Sequence, residues 1–406
     1  MKKIGLLSQI LIAFVIAIIL GAIVGQSIEV VKPLGDLFLR LIKFIIVPLV
    51  LASLVVGVAG AGDLRQIGRM GGISFVYYLA TTAFAVFIGL LLANIFRPGD
   101  GVNMTLSGEA AEPTAAPSVV DTLLNIVPTN PIESLVTGNM LQIIFFALFL
   151  GLAISMLGDK AKTVYNFFEG LAEIMYKITG IVMKFAPIGV FGLIAPIVGQ
   201  YGISVLLPLI KLILVVYAGC ILHALLVYSG SVKLFANQSP LKFFKGIAPA
   251  SLVAFSTSSS SGTLPITMKS TEENLGVSKK VSSFVLPLGA TINMDGTALY
   301  QGVCVLFVAQ FMGIELSIMQ QLIIVLTATL ASIGTAGVPG AGLIMLSMVI
   351  TAVGLPLEAI ALVAGVDRIL DMIRTSVNVT GDGSAAVVVQ ALEDKKELKA
   401  SNNVSA

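Results

Sequence analysis

Apolar runs about as long as a bilayer is thick follow one another along this chain, and two of them are broken in mid-run by small polar residues. The continuous runs fall at about 5–25, 34–62, 71–96, 132–157, 166–199, 203–232, 281–312 and 355–392. One interrupted run, about 241–268, is broken by Ser256-Thr257-Ser258-Ser259-Ser260-Ser261-Gly262-Thr263. The other, about 319–354, is broken by Ser332-Ile333-Gly334-Thr335-Ala336-Gly337-Val338-Pro339-Gly340-Ala341-Gly342. A spanning helix needs about 20 apolar residues, and the arms around these breaks have about 12 or fewer. Each broken run therefore reads as a re-entrant hairpin. The expected fold is an all-α polytopic membrane protein with eight transmembrane helices and two re-entrant helical hairpins.

Composition agrees with that class. Of 406 residues, 57% are hydrophobic and only 11% are charged, against about 25% charged in a soluble domain. A net charge of +2 with no basic cluster gives no reason to expect a nucleic-acid partner. Cys220 and Cys304 lie in apolar runs and read as buried free thiols. His223, the one histidine, shares the run of Cys220 and reads as packing or a local hydrogen bond. The opening MKKIGLLSQILIAFVIAIILGAIVG looks like a signal peptide, but its apolar part is too long and no A-x-A site follows, so it reads as a first spanning helix.

Charges orient the map. Lys2 and Lys3 place the N-terminus in the cytoplasm, and Arg65 and Arg69 return the second connection there. Pro98 to Val120 carries Asp100, Glu109 and Glu112 with no Lys or Arg and should face out. Lys160, Lys162, Lys233, Lys242, Lys245, Lys269, Lys279 and Lys280 are cytoplasmic, so the first hairpin opens inward. Glu315 and Glu358 flank the second, which opens outward. The tail EDKKELKASNNVSA reads as cytoplasmic and frayed. Broken elements that enter from opposite faces point to a transporter site near the midplane. Unwound backbone is tolerated at that depth only where it lines a cavity or is buried in protein.

The last run adds charges that lipid does not tolerate cheaply. Asp371, Arg374, Thr375, Asn378 and Asp382 lie between LEAIALVAGV and SAAVVVQAL, and Asp295 lies in ATINMDGTALYQGVCVLFVAQF. A charge at the bilayer centre costs about 2.5–3.5 kcal/mol on insertion scales. At about 100° per residue, Asp367, Asp371, Arg374, Asn378 and Asp382 share one wedge of roughly 80°, with Thr375 at its edge. A bare Asp371–Arg374 pair at i, i+3 would leave Asn378 and Asp382 without a purpose. Arginine suits two-pronged recognition of a carboxylate, aspartate meets an ammonium, and hard oxygen ligands suit alkali cations. Glycine beside Asp295 weakens the helix and lets carbonyls turn toward a ligand. Together these groups form the inventory for holding an acidic amino acid with Na⁺.

With SSSSGTLP, NMDGT, GTAGVPGAG and DMIRTSVNVTGD in this order, the chain resembles the dicarboxylate/amino acid:cation symporter family, the glutamate-transporter (elevator) fold, from near the N-terminus to about residue 392. The resemblance implies no enzyme but a Na⁺-driven symporter for L-aspartate or L-glutamate in the plasma or inner membrane of a prokaryote. It implies a homotrimer in lipid, with both termini cytoplasmic. The implied division is scaffold helices 1–2 (1–70), transport-domain helix 3 (71–97), an extracellular loop with scaffold helices 4–5 (98–202), the rest of the transport domain (203–392) and a tail (393–406). The second hairpin would be the extracellular gate.

Site residues follow from the same resemblance. Arg374 would bind the substrate's side-chain carboxylate and Asp371 its α-amino group, with Thr375, Asn378, Thr297 and Ser260 adding hydrogen bonds. Backbone groups of Ser258, Val338 and Gly342 would complete the pocket. Three Na⁺ sites are implied. The first takes Gly289, Asn293 and Asn378 carbonyls and the Asp382 carboxylate. The second takes Thr291, Ser332, Ile333 and Thr335 carbonyls beside the Met294 sulfur. The third takes Tyr78, Thr81, Thr82, Asn293 and Asp295, where YYLATTAF has threonine in place of some relatives' serine. Gln301 stands where proton-carrying relatives have glutamate, implying no proton at that point. Ser258 stands where some archaeal relatives have arginine, and Arg368 is expected to supply that cation near Asp371.

Other classes fit less well. A C4-dicarboxylate or proton-coupled carrier of the same fold is the alternative, but a plain diacid has no ammonium for Asp371. A neutral amino acid would leave Arg374 unpaired. An intramembrane serine protease would need a base, and His223 lies in a different run from the serines. An anion channel would have no use for paired hairpins.

Overall fold

The computed structural model describes residues 6–60, 68–100, 124, 126–333, 335, 337 and 339–404. Lys2, Lys3, Arg65, Glu109, Glu112 and Val338 lie outside the described residues. The described residues contain helices and no strand. Helices α1 (Leu6–Val24) and α2 (Lys32–Gly60) are joined by a 3₁₀ turn. After α3 (Gly68–Phe96) come the short α4 (Pro131–Thr137), α5 (Met140–Leu157), α6 (Lys162–Met183) and α7 (Ala186–Tyr201). α8 (Leu206–His223) passes through a π turn, Ala224–Tyr228, into α9 (Ser229–Leu234). The broken runs give the pairs α10 (Pro240–Thr257) with α11 (Ser260–Leu275), and α14 (Ile318–Ile333) with α15 (Ala341–Ala352). Between them lie α12 (Lys279–Ile292) and α13 (Asp295–Phe311). The chain ends with α16 (Ile360–Ala364) and α17 (Asp367–Val404).

Among the described residues, five helical stretches are long and apolar enough to cross a bilayer: Ser8–Ala59, Met70–Phe96, Gln142–Met183, Leu206–Leu234 and Lys279–Phe311. At about 1.5 Å per residue, the 52 residues of the first far exceed a hydrocarbon core, so it holds two antiparallel helices, α1 and α2.

Local chemistry sets the ends. Asn130 accepts from the amides of Ile132 and Glu133 at the start of α4, and Ser278 caps α12 at the amide of Val281. The run expected at 166–199 as one helix is two, because Pro187 in the first turn of α7 does not extend a preceding helix and the chain turns at Lys184 and Phe185. Three of the four hairpin arms are longer than expected, with 18, 16 and 16 residues, and the fourth has 12. Their outer ends carry Lys242, Lys245, Lys269, Glu272 and Glu273, which are polar yet helical. The tail is not frayed over its described length: α17 continues to Val404, and Lys395 Nζ donates to the Phe235 carbonyl at 2.9 Å.

Packing sorts the helices into two groups. In one, α2 packs on α5, α6 and α7, and α1 lies along α7. In the other, α3 packs on α13, α8 and α14, and α17 is surrounded by α10, α11, α12 and α13. The groups meet where α14 and α15 touch α2 and α5, and where α16 touches α7. Because lipid supplies no hydrophobic drive between helices, close approach of small residues matters. A Cβ on Gly192 would collide with the Gly35 amide of α2, and one on Gly189 with the Phe38 ring.

Gly192→Ala should therefore loosen the α2–α7 crossing and lower stability by about 1–3 kcal/mol. Gly170→Ala, facing open space on α6, should not. Thermal unfolding of the two purified variants in detergent compares them, and equal melting would refute the close-packed crossing.

Candidate functional site

The site begins where the chain is not helical. α12 stops at Ile292, Asn293 and Met294 take extended or irregular backbone, and α13 starts at Asp295. The break is bridged from α17. The Asn378 side-chain oxygen accepts the Gly296 amide at 2.8 Å, and Asn293 Nδ2 donates to the Asn378 carbonyl at 3.0 Å and to Asp382 Oδ1 at 2.9 Å. Gly296 sits inside α13 rather than loosening it. It is needed because a Cβ there would strike the Arg374 backbone carbonyl. Asp295 stands in the first turn of α13, where the helix macrodipole favours a negative charge.

Both hairpin tips reach this break. Ser258 ends α10 in the left-handed region, φ 53°, and Ser259 caps α11 at the Gly262 amide. The tips are tied to each other: Ser259 Oγ donates to the Gly337 carbonyl at 2.8 Å, and the Ser261 amide to the same oxygen at 3.2 Å. Below them Ser258, Ser260, Met294, Thr297, Thr335, Gly337, Gly342, Asp371, Thr375 and Asn378 line one small cavity. The cavity is walled by both tips, the α12–α13 break and α17. Ser258 Oγ is buried without a partner.

Arg374, 1% exposed, lies behind the cavity wall, against Gly342 and Asp371 of its lining. Gly342 lets α15 lie on its guanidinium, since a Cβ there would sit 2.8 Å from Cζ. Nε donates to Asp371 Oδ1 at 2.9 Å, Nη1 to Asp367 Oδ1 at 2.6 Å, and Tyr300 lies under the group with its ring centre 4.3 Å from Cζ. Tyr300 also donates its hydroxyl to Asp367 at 2.8 Å. Asp371 is shared further: the Gly340 amide donates to Oδ2 at 3.1 Å, and Thr375 Oγ1 to Oδ1 at 3.4 Å. Arg368 Nη1 stands 3.4 Å from Asp371 Oδ2 and Nη2 reaches the Thr257 carbonyl at 3.5 Å, so a guanidinium does reach the first hairpin tip from α17.

The residues named for cations around Asp295 and Asp382 fall into the same neighbourhood, and Thr291 and Ile333 make other contacts. Gly289 faces Asp382, where a Cβ would come within 2.5 Å of Oδ1 and 2.7 Å of the Tyr78 hydroxyl. Asn293 Oδ1 is buried with no partner, an acceptor of the kind a hard cation uses. Thr82 Oγ1 donates to Asp295 Oδ1 at 2.6 Å, and Thr81 Oγ1 is bonded to the Tyr78 carbonyl at 3.2 Å. Met294 Sδ accepts from Asn378 Nδ2 at 3.2 Å. Thr335 lines the cavity beside Met294, and Ser332 is buried. The Ile333 carbonyl lies against Gly57 of α2, and the Thr291 hydroxyl bonds back to Leu288 O at 2.8 Å.

A family model described as the sodium:dicarboxylate symporter family matches residues 6–392. The chain belongs to that family. It is 44% identical over 408 residues to the proton/sodium-glutamate symport protein of Geobacillus stearothermophilus, covering 97% of this chain and 96% of that one. It is 39% identical to the proton/glutamate-aspartate symporter of Escherichia coli K12, with 98% and 95% covered. It is likewise 39% identical to a C4-dicarboxylate transport protein of Burkholderia multivorans, with 96% and 92% covered. The family is one of membrane symporters, not of enzymes.

For this family member, reading the residues alone missed four side chains around the site. Asp367 was on the polar stripe of α17 but had no role, and its role is to bind Arg374. Tyr300 was given no role, and it lies under the Arg374 guanidinium. His223 proves non-local: its Nε2 lies 3.2 Å from Asp295 Oδ2, and the Tyr228 hydroxyl donates to the same oxygen at 2.8 Å. No periodicity signals the last pair, because a π turn separates them. Gln301, 1% exposed, has neither side-chain amide atom paired.

Asp367→Asn should leave the buried guanidinium with one carboxylate instead of two and lower stability by about 3 kcal/mol. Unfolding in detergent reads this directly. An unchanged transition would mean that Arg374 does not depend on Asp367.

Proposed function

We propose that the chain is a secondary active symporter that takes up L-aspartate or L-glutamate on the inward Na⁺ gradient. One observation carries the reading. A buried aspartate of α17, both hairpin tips and an unwound break meet at a single small cavity, and a buried arginine one turn along α17 lies directly behind it on Asp371 and Gly342. Arg374 supplies the charge for a side-chain carboxylate, and Asp371, at the cavity wall, the charge for an ammonium. Ser258, Ser260, Thr297, Thr375, Asn378 and the backbone around Val338 and Gly342 supply the remaining hydrogen bonds. The names of the relatives support this substrate class and sodium coupling.

The cation places follow the same reading, with Na⁺ as co-substrate. Asp382 with Gly289, Asn293 and Asn378 forms one. Asp295 with Tyr78, Thr81, Thr82 and Asn293 forms another. Met294 with Thr291, Ser332, Ile333 and Thr335 would form a third. Buried carboxylates and an orphan Asn293 oxygen are what dehydrated Na⁺ needs as partners.

The two helix groups support an elevator, with eight spans and two hairpins. The group of α1, α2, α5, α6 and α7 would be the static scaffold. The group of α3 and α8–α17 would move, with α14 and α15 as the outer gate and both termini cytoplasmic in a prokaryotic plasma membrane. A homotrimer belongs to the same reading. The Ser259–Gly337 tie between tips suggests how coupling arises: substrate and Na⁺ each add affinity for the closed hairpin, so each raises the affinity of the other.

Aspartate affinity should rise steeply with Na⁺, tested by titration in Na⁺ and in choline buffer, and identical affinities would remove the coupling. Arg374→Cys should shift uptake from acidic toward neutral amino acids in proteoliposomes. The C4-dicarboxylate reading, which one relative's name favours, predicts instead that succinate competes with labelled aspartate as well as glutamate does.

A further inference from the structure

The π turn Ala224–Tyr228 begins directly after His223. On a regular α-helix, residues five apart point about 140° away from each other. The wider turn brings His223 and Tyr228 to one side, with ring centroids 4.8 Å apart and planes at 84°. Single π turns of this kind recur at functional sites. Both rings converge on one atom, Asp295 Oδ2, at 3.2 Å from Nε2 and 2.8 Å from the hydroxyl. The other carboxylate oxygen, Oδ1, takes Thr82 Oγ1 at 2.6 Å. His223, Tyr228, Asp295 and Thr82 are all 0% exposed, so no solvent donor competes for the carboxylate.

One of the two donors, Tyr228, is placed by α17 independently of Asp295. Tyr228 also stands 3.2 Å from the Val377 carbonyl of α17. Gly381, on the next turn of α17, lets its hydroxyl come so close that a Cβ there would lie 2.5 Å away. Against an ionised carboxylate, which only accepts, Nε2 of His223 carries the proton, and Nδ1 is left buried without a partner.

We infer that His223 and Tyr228 are positioning residues for the cation place at Asp295. They hold Oδ2 on the side of the π turn, so that Oδ1, Thr82 and the unpartnered Asn293 oxygen two residues earlier form the coordinating side. The inference rests on the Na⁺-coupled reading above. It assigns to the π turn the job of fixing a carboxylate whose rotation would otherwise smear the coordination geometry.

The test is aspartate binding to the purified full-length carrier at graded Na⁺. Tyr228→Phe removes only the hydroxyl, and His223→Leu removes the ring donor. Each should raise the half-saturating Na⁺ concentration by about tenfold, the effect of one hydrogen bond to a charged group, while binding at saturating Na⁺ stays at the parent level. His223→Gln, which places an amide donor near the Nε2 position, should restore the parent Na⁺ dependence. A packing role alone would instead lower thermal stability without moving the Na⁺ midpoint and without rescue by glutamine. Parent-like midpoints in both Tyr228→Phe and His223→Leu overturn the inference, and so does a shift in His223→Leu that His223→Gln does not reverse. If the parent itself binds aspartate without Na⁺ dependence, the coupling reading fails and this inference falls with it, which separates the two failures.

Discussion

A guanidinium sealed from water sets the terms for everything around it. Arg374 cannot be left unpaired at this depth, since removing one partner of a buried ion pair costs several kcal/mol. Its own helix supplies two carboxylates, Asp367 and Asp371, and α13 supplies Tyr300 beneath it. Those partners demand close approach. Gly296 is forced by the Arg374 carbonyl and Gly342 by its guanidinium. The geometry of one charge therefore dictates which faces of α13 and α15 meet α17.

The second constraint is broken backbone at membrane depth. Each break exposes amides and carbonyls that hydrocarbon cannot satisfy, and here the breaks satisfy one another. The first tip donates to Gly337 of the second, Gly340 donates to Asp371, and Asn378 caps the helix that starts at Asp295. The groups left over, such as the hydroxyl of Ser258 and the oxygen of Asn293, border the cavity and the acidic side chains. Closure of the tips, ordering of the break and occupation of the site are coupled for the same reason.

Much of this was legible in one dimension. Run length and the serine and glycine interruptions located both hairpins, because a helix must either cross the bilayer or turn back. The stripe on α17 followed from helical periodicity, and Arg368 was correctly expected beside Asp371. The failures were local and physical. Arm lengths were underestimated because polar outer turns are as helical as apolar ones once backbone bonds are made. The run at 166–199 hid a break because Pro187 interrupts the helix without interrupting hydrophobicity. The tail was expected to fray, yet its helix continues and is pinned through Lys395. Gly296 was read as a weak point when it is a contact point.

The order of apolar runs, their two interruptions and the charges inside the last run were determined by the chain alone, because those properties depend on transfer from water and on helix periodicity. Which donors meet which carboxylate was decided only in three dimensions. His223 and Tyr228 reach Asp295 across 72 and 67 residues of chain, and they do so through a π turn that alters the helical phase. No repeat in the sequence records such a change of phase. Contacts made across helices depend on how the helices cross, and that is set by the close approach of glycines and by a buried charge that had to find its partners.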